Sequence, residues 1–458
     1  MKMKKIISLL CVLTLIFSMT ACGKKDTSNN NPAETSDNTA AGDEGTAADT
    51  GDQAEPAEDV ELTMLDFFIP GDGVTEAFRP VYEKFLADNP NVTIDEESIS
   101  NADAATKIQT LAAADELPDI FVLKGQMAQS FVDNGKVYPL DEIINSDEAW
   151  KNNFKEGVFS NFTIDNKTYG IPFQVTNTCV FYNTEIFAQA GITEFPTTWD
   201  EMLAAVEKLK AIGVTPIALG NKEKWNAESV ILSTLANRFT GTDWYQGIRD
   251  KSGAKFTDPE FVSALTALSD LAKAGAFNTD VNSIDGAQQR MMYMNGKAAM
   301  TIDGTWAVSD FDNNAPEDIK NVTEIAALPS VEGGKGDAAA ITGGAGWAYA
   351  VNANIAPEKL DAAKELIIAL TGQEYATLAV QAGTLTAANP GDYEKDTSKI
   401  IATKFDAFAA DRPFIPVYDH QLNSSIIEVM NSGLQELLID AVSPEELAQR
   451  IQTEYERN

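Results

Sequence analysis

The chain has 458 residues and a formal net charge of −35 at pH 7, from 34 Lys and Arg against 69 Asp and Glu. This balance argues against sequence-independent nucleic-acid binding, which depends on basic side chains that neutralise phosphates. With one histidine, His420, and three cysteines, the chain has no zinc-ligand spacing and no triad needing histidine elsewhere. We therefore expect no metal and no cofactor.

The amino terminus has the pattern of a secretory signal over residues 1–21. Three lysines precede an apolar run at 6–17, and small residues then lead to Cys22. The run is shorter than the roughly 20 residues that a membrane-spanning helix needs. The pattern predicts cleavage before Cys22 and lipidation of this cysteine, with ordinary secretion as the alternative. The protein would then be held on the outer face of the cytoplasmic membrane by acyl chains alone.

Residues 22–59 follow as the lipidated cysteine and an acidic linker. Between 24 and 59 there is no aromatic or large aliphatic side chain, so this segment cannot bury enough apolar area to offset its ordering entropy. We predict a disordered tether. The globular part then begins at residue 60 and is long enough for two domains. Cys179 would be its lone cysteine, which we expect to be a buried thiol.

Strands and helices alternate along the globular part, which is typical of an α/β fold with mainly parallel sheets flanked by helices. The pattern predicts strands at 61–68, 92–94, 118–122, 180–182 and 216–219. It predicts helices at 75–88, 104–114, 199–211, 259–274, 287–294, 357–370, 373–381 and 444–455.

The loops between these elements contain aromatic, amide and carboxylate side chains. Tryptophans at 225, 244, 306 and 347 lie in or beside presumed loops, near Asn226 and Asp303. Flat aromatic faces and forked hydrogen-bonding groups suit the C–H faces and hydroxyls of a sugar ring. Each tryptophan alone could equally be a core residue; their joint appearance favours a binding site.

One stretch carries a specific motif. Residues 295–307 read Asn-Gly-Lys-Ala-Ala-Met-Thr-Ile-Asp-Gly-Thr-Trp-Ala, and further matches stand in a fixed order at 117–120, 139–141, 169–173, 182–183, 191–201 and 326–329. This ordered set, spanning roughly residues 60–458, resembles family 1 extracellular solute-binding proteins, the receptors of sugar ABC importers.

The resemblance implies two lobes joined by three crossing segments, with the solute held between the lobes. We expect the first lobe at 60–172 plus 331–382 and the second at 178–327 plus 388–458. The hinge would lie near 173–177, 328–330 and 383–387. The resemblance also implies that the lobes close about these segments.

The same resemblance suggests the ligand-binding residues. Trp306 matches the stacking tryptophan of the motif. Trp225 stands where relatives have another stacking aromatic, Asp72 matches an acidic hydroxyl acceptor, and Trp347 follows a glycine-rich pattern found near the cleft. The other candidates are Asp303, Asn177, Lys124 and Gln174; Asn177 and Lys124 depart from the pattern of the maltose-binding relatives, which puts a maltodextrin preference in doubt.

The resulting hypothesis is a monomeric, membrane-anchored receptor that binds a sugar or oligosaccharide, delivers it to an ABC permease and catalyses no reaction. Alternatives are a receptor for a polyamine, a peptide or a polyol phosphate, a surface adhesin, and a secreted glycosidase with two catalytic carboxylates.

Overall fold

The computed structural model describes residues 58–69, 73–410 and 412–458. Cys22, the predicted signal, almost all of the predicted linker and Asp72 lie outside this part. No helix within the described ranges is both long and apolar enough to cross a membrane.

Local sequence signals define several helices. The helix Trp199–Ala211 begins after Thr198, whose hydroxyl accepts from the Glu201 N–H while the Glu201 carboxylate accepts from the Thr198 N–H, so that two free amides are satisfied at once. The α-helices are α1 Gly73–Asp88, α2 Asn101–Ala114, α3 Gly125–Asp133, α4 Asp141–Ile144, α5 Glu148–Asn152, α6 Thr184–Gln189, α7 Trp199–Ala211, α8 Ser233–Thr240, α9 Thr242–Arg249, α10 Pro259–Lys273, α11 Gly286–Met294, α12 Val308–Asn314, α13 Glu317–Val322, α14 Leu360–Thr371, α15 Gln373–Gln381, α16 Ile400–Ala409, α17 Ser424–Leu438 and α18 Pro444–Tyr455. A π-helical segment covers Ala227–Leu232, and 3-10 turns cover Thr305–Ala307, Pro357–Lys359 and Tyr418–His420.

The strands are β1 Val60–Asp66, β2 Val92–Ser98, β3 Ile120–Lys124, β4 Thr163–Ile164, β5 Lys167–Thr168, β6 Ile171–Pro172, β7 Thr176–Asn183, β8 Thr215–Ala218, β9 Ala298–Gly304, β10 Thr323–Ala326, β11 Ile341–Gly344, β12 Trp347–Val351 and β13 Phe414–Ile415. A first sheet has the order β2-β1-β3-β12-β6, and a second has the order β13-β11-β7-β9-β8 with β10 also on β7. Strands β4 and β5 form a separate hairpin.

Each sheet belongs to its own hydrophobic core. The first core combines residues between 62 and 175 with residues between 345 and 387. The second combines residues between 180 and 302 with Leu328 and residues between 418 and 451, and a smaller cluster around Phe181 and Phe311 lies beside it. The predicted two-lobed α/β architecture is therefore confirmed.

The strand directions correct one part of the prediction, because the sheets are mixed rather than mainly parallel. Strand β1 is parallel to β2 and β3, but β12 is antiparallel to both β3 and β6. In the second sheet β7 is antiparallel to β9, β10 and β11. Strands that enter a sheet directly from the other lobe have no crossover helix to make them parallel to their neighbours.

The lobe boundary also differs from the predicted one. Residues 331–382 were assigned to the first lobe, yet β11 pairs with β7 in the second sheet and Leu328 is buried in the second core. The chain passes to the first sheet between Gly344 and Trp347, later than the predicted crossing at 328–330. The passages at 173–175 and 385–388 run side by side, since the Val175 N–H donates to Leu385 O at 3.1 Å and Gln174 pairs with Thr386.

Candidate functional site

Two neighbouring tryptophans lie past the carboxyl end of β9. Trp306 follows Gly304 in the 3-10 turn, and its indole folds back over that glycine, where an added Cβ would lie 2.3 Å from ring carbons. The Trp225 ring meets the Trp306 ring edge to face, with 5.6 Å between centroids and 70° between planes. Both side chains are only partly buried, so aromatic surface remains accessible to a ligand.

The buried carboxyl group of Asp303 lies next to this pair of tryptophans. The Asp303 side chain is almost fully buried, accepting from the Gly304 N–H at 2.9 Å and from Gln289 Nε2 at 3.3 Å. Arg290 Nη1 lies 3.4 Å from Asp303 Oδ2, and Arg290 also pairs with Asp310. Burial raises the pKa of Asp303, while Arg290 opposes the rise. Because its oxygens are engaged by these protein groups, Asp303 orients its neighbours in this conformation.

Polar groups next to the tryptophans complete the second-lobe side. Asn226 donates to Gly220 O, and its Oδ1 has no partner among the described residues. A Cβ added to Gly286 would lie 3.6 Å from Arg290 Nη1 and 3.7 Å from Asn226 Nδ2, so the guanidinium and the amide are close together. Aromatic faces beside an amide and a guanidinium are the groups that bind a polyhydroxylated ring.

The first-lobe candidates lie at the carboxyl end of β3. Trp347 pairs with Lys124 across the strands, and its ring is packed edge-on against Phe67 with centroids 4.9 Å apart. Lys124 Nζ lies 5.9 Å from the Trp347 ring centroid. Trp347 is only 6% exposed, which makes it mainly a core residue in this conformation.

Gln174 and Asn177 lie in the first crossing and the strand that follows it. Both are buried. The side-chain amide of Asn177 has no hydrogen-bond partner within the described part of the chain, and it lies so close to Gly343 that a Cβ there would be 2.9 Å from Asn177 Oδ1. Gln174 and Asn177 therefore lie where the chain passes from the first lobe to the second.

Sequence reasoning missed several polar residues that the fold brings together. Arg290 was hidden inside a predicted helix. Asp419 and His420 lie in the loop that contacts Lys124 from the second lobe, and Glu228 is buried next to Asp419. A lone acid in the apolar run Ala-Glu-Ser-Val-Ile-Leu at 227–232 was a usable signal for Glu228. Among the described residues, no group of three or more His, Cys, Asp or Glu is arranged to hold a metal.

Solved structures define the class of protein to which this geometry belongs. One comes from a study of xylan utilization by the thermophilic bacterium Caldanaerobius polysaccharolyticus; it is 28% identical, covers 86% of this chain and 100% of its own, and has a TM-score of 0.78. A chitin oligosaccharide binding protein is 25% identical, with coverage of 87% and 98% and a TM-score of 0.78.

Residues 71–377 match the family described as bacterial extracellular solute-binding protein, and the chain belongs to this family. The multiple sugar-binding protein of Streptococcus mutans serotype c is 23% identical over 262 residues, which is 56% of this chain and 60% of that relative. The chain thus matches about three fifths of the length of such relatives. The family predicted from the motifs is confirmed.

Proposed function

We propose that this protein is a receptor that binds a sugar or oligosaccharide between its two lobes and delivers it to the permease of an ABC importer. Binding without covalent chemistry is part of this proposal. The observation that carries it is the partly exposed Trp225 and Trp306 pair, with Arg290 and Asn226 beside it.

Several similar proteins are named for carbohydrates, which supports a carbohydrate as the solute. Two solved structures, 28% and 25% identical to this chain, are described in connection with xylan utilization and with chitin oligosaccharides. A third relative is named for multiple sugars. These names guide the choice of ligands for the first experiment.

The energetics require both kinds of group. Micromolar affinity corresponds to about −8.2 kcal/mol. An aromatic contact contributes about 0.5–1.5 kcal/mol beyond the area that it buries, so two rings cannot supply the affinity alone. Hydrogen bonds from Arg290, Asn226 and groups of the first lobe must provide much of the remainder.

The test is calorimetry against xylo-, chito- and malto-oligosaccharides of two to six units. We expect one class to bind at micromolar concentration. Trp306→Ala should weaken that binding about tenfold to hundredfold, because the substitution removes a stacked ring and its buried area.

Trp244→Ala is the matched control. Trp244 is a partly buried tryptophan of the same lobe that stacks on Phe261 and donates to Asp258, among side chains that do not include Trp225 or Trp306. The control should keep wild-type affinity. Binding that survives Trp306→Ala unchanged would refute the site, and release of shorter sugars at catalytic protein concentration would favour the glycosidase instead.

We further propose that Cys22 carries the lipid anchor. The motif before it and the apolar run at 6–17 support this assignment. Expressed in a bacterium with lipoprotein processing, the wild type should partition into the detergent phase, and Cys22→Ser should partition into water. Equal partitioning of the two proteins would contradict the anchor.

A further inference from the structure

The loop that carries Trp225 is held at both ends. It follows β8 and leads into the π-helical segment, and the Asn221 N–H donates to Val281 O at 2.7 Å. The Asn221 side-chain oxygen accepts from the Ala227 N–H at 3.0 Å, and the Asn221 carbonyl accepts from Gln435 Nε2 of α17 at 2.8 Å. The direction of the Trp225 side chain is therefore decided by the few residues between these two ends.

Immediately before Trp225, the backbone makes a tight turn that is unusual for a residue with a side chain. Lys224 has a φ of 71°, in the left-handed region. The Trp225 N–H donates to the Glu223 carbonyl, two residues back, at 2.9 Å. A turn closed by such a bond about a central residue of positive φ is rare and strained. Glycine would adopt this φ without a clash, so a lysine at this position needs a compensating interaction.

The Lys224 side chain supplies that interaction by contacting α17. Lys224 Nζ donates to Glu428 Oε1 at 2.6 Å and to Ser432 Oγ at 3.1 Å. The Ser432 hydroxyl also donates to Glu428 Oε1 at 2.9 Å. Although burial opposes it, the hydrogen bonds from Lys224 and Ser432 lower the pKa of Glu428. One face of α17 thus contacts the turn through Glu428 and Ser432 and the start of the loop through Gln435.

A second contact fixes the indole itself. Trp225 Nε1 donates to Glu223 Oε2 at 3.2 Å, so the residue on the other side of the turn also holds the ring. The ring then meets Trp306 with 70° between planes. Because Lys224 lies between Glu223 and Trp225, a change in its φ would rotate the Trp225 ring relative to Trp306.

We propose that Lys224 is a positioning residue: its contacts with Glu428 and Ser432 hold the turn that sets the angle of the Trp225 ring beside Trp306, and this angle sets the affinity for a sugar. The Lys224 ammonium is engaged by α17, so the residue acts through Trp225. The side chains of Lys224 and Glu428 are 38% and 63% exposed, and such pairs contribute little to global stability. Loss of the pair should therefore change binding more than unfolding. The effect on binding rests on the proposed function, whereas the effect on the ring angle does not.

Circular dichroism of the ligand-free full chain reports the ring angle. Two indoles with centroids 5.6 Å apart couple their electronic transitions, and the coupled signal depends on the angle between the rings. The part of the wild-type spectrum that Trp225→Phe removes defines this signal. Lys224→Met should lose most of it, because the turn is then no longer anchored to α17. Lys224→Arg retains a cation of similar reach and should keep most of it.

Calorimetry with the saccharide that binds the wild type measures the effect on affinity. Lys224→Met should weaken binding about 3- to 10-fold, which is the effect of one misplaced aromatic contact. The midpoint of thermal unfolding should stay within about 2 °C of the wild-type value. Glu428→Gln should weaken binding similarly. The two substitutions combined should be no worse than either alone, because they remove the same interaction.

Lys273→Met is the matched control for the ion pair. Lys273 pairs with Asp440 at 3.0 Å just beyond the end of α17, and both side chains are similarly exposed. This variant should keep the indole signal and the affinity. Lys224→Gly separates strain from anchoring, because glycine relaxes the turn but has no side chain that reaches α17. It should be at least as stable as the wild type and should bind as weakly as Lys224→Met.

An unchanged indole signal in Lys224→Met would overturn the proposal, whether or not a sugar has been found. Wild-type affinity in Lys224→Gly would overturn it as well, since the turn alone would then be enough to place the ring. If no saccharide binds the wild type, the proposed function fails, and the indole signal still decides whether Lys224 positions Trp225.

Discussion

Each sheet has an edge, formed by the ends of its strands, that lies beside the crossings, and these two edges differ in the burial of their tryptophans. At the edge of the first sheet, Trp347 packs edge-on against Phe67, which in turn contacts Phe173, and little of Trp347 is exposed. At the edge of the second sheet, the Trp306 ring contacts the Trp225 ring, and the ion pair of Asp303 and Arg290 lies nearby.

This difference in burial indicates that Trp347 mainly stabilises its lobe and that Trp306 is available to bind a ligand. An aromatic side chain sealed by other rings stabilises a lobe, because nearly all of its apolar area is removed from water. The partly exposed indole of Trp306 still has apolar area that a ligand can cover. We therefore expect substitutions at the first edge to reduce stability and substitutions at the second edge to reduce binding.

The largest effect on stability should come from Trp347→Ala. Removing a buried indole leaves a cavity among Phe67 and Lys124, and should lower the free energy of unfolding by about 3–5 kcal/mol. Urea denaturation followed by circular dichroism measures it. Trp347→Phe should lose much less, and a loss below about 1 kcal/mol for the alanine variant would remove the contrast between the edges.

A smaller effect is expected at Glu228, a buried carboxyl of the second lobe. Its pKa in the folded protein is about 8, above the ordinary value of 4.5. The stability that the protonated Glu228 side chain contributes to the folded protein is fully present below pH 4.5 and is lost as the pH rises through 8. Glu228→Gln should therefore flatten the decline in stability across this window and be more stable than wild type by about 2 kcal/mol at pH 9.

Thermal unfolding from pH 4.5 to pH 9 measures this difference. Glu194→Gln, an exposed substitution in the same lobe, should follow the wild-type curve. If Glu228→Gln declines as steeply as wild type, then Glu228 is already ionised at neutral pH, which would contradict a pKa of about 8.

The smallest effect on stability should come from Trp306→Ala. Part of the indole is already hydrated in the folded protein, so the substitution should lower the free energy of unfolding by about 1–2 kcal/mol, well below the loss for Trp347→Ala. The same denaturation experiment ranks the two. The comparison between the edges fails if the order is reversed.

The sequence predicted what depends on local signals. Helix α7 begins and ends at the predicted residues because its start is specified by the adjacent Thr198 and Glu201. Helices α15 and α18 also have the predicted bounds. The motif around Trp306 identified the family and the strand β9 that precedes it.

What it could not predict depends on pairing between distant segments. Nothing near β11 specifies β7 as its partner, so its lobe was assigned wrongly. Lys124 and Asp419 are 295 positions apart, and no local pattern links them. Trp347 and Trp306 both follow glycines in similar motifs, and only the packing of the first core tells that one is sealed and the other is not.

Gly304 gives the spacing of the motif a physical meaning. The Trp306 indole occupies the space that a methyl group at position 304 would fill. Gly304→Ala would therefore push the ring out of this position although residue 306 is still a tryptophan. In a related chain, a tryptophan without that preceding glycine should then present its aromatic surface in another direction. Ligand preference could thus change through a residue that never touches the ligand.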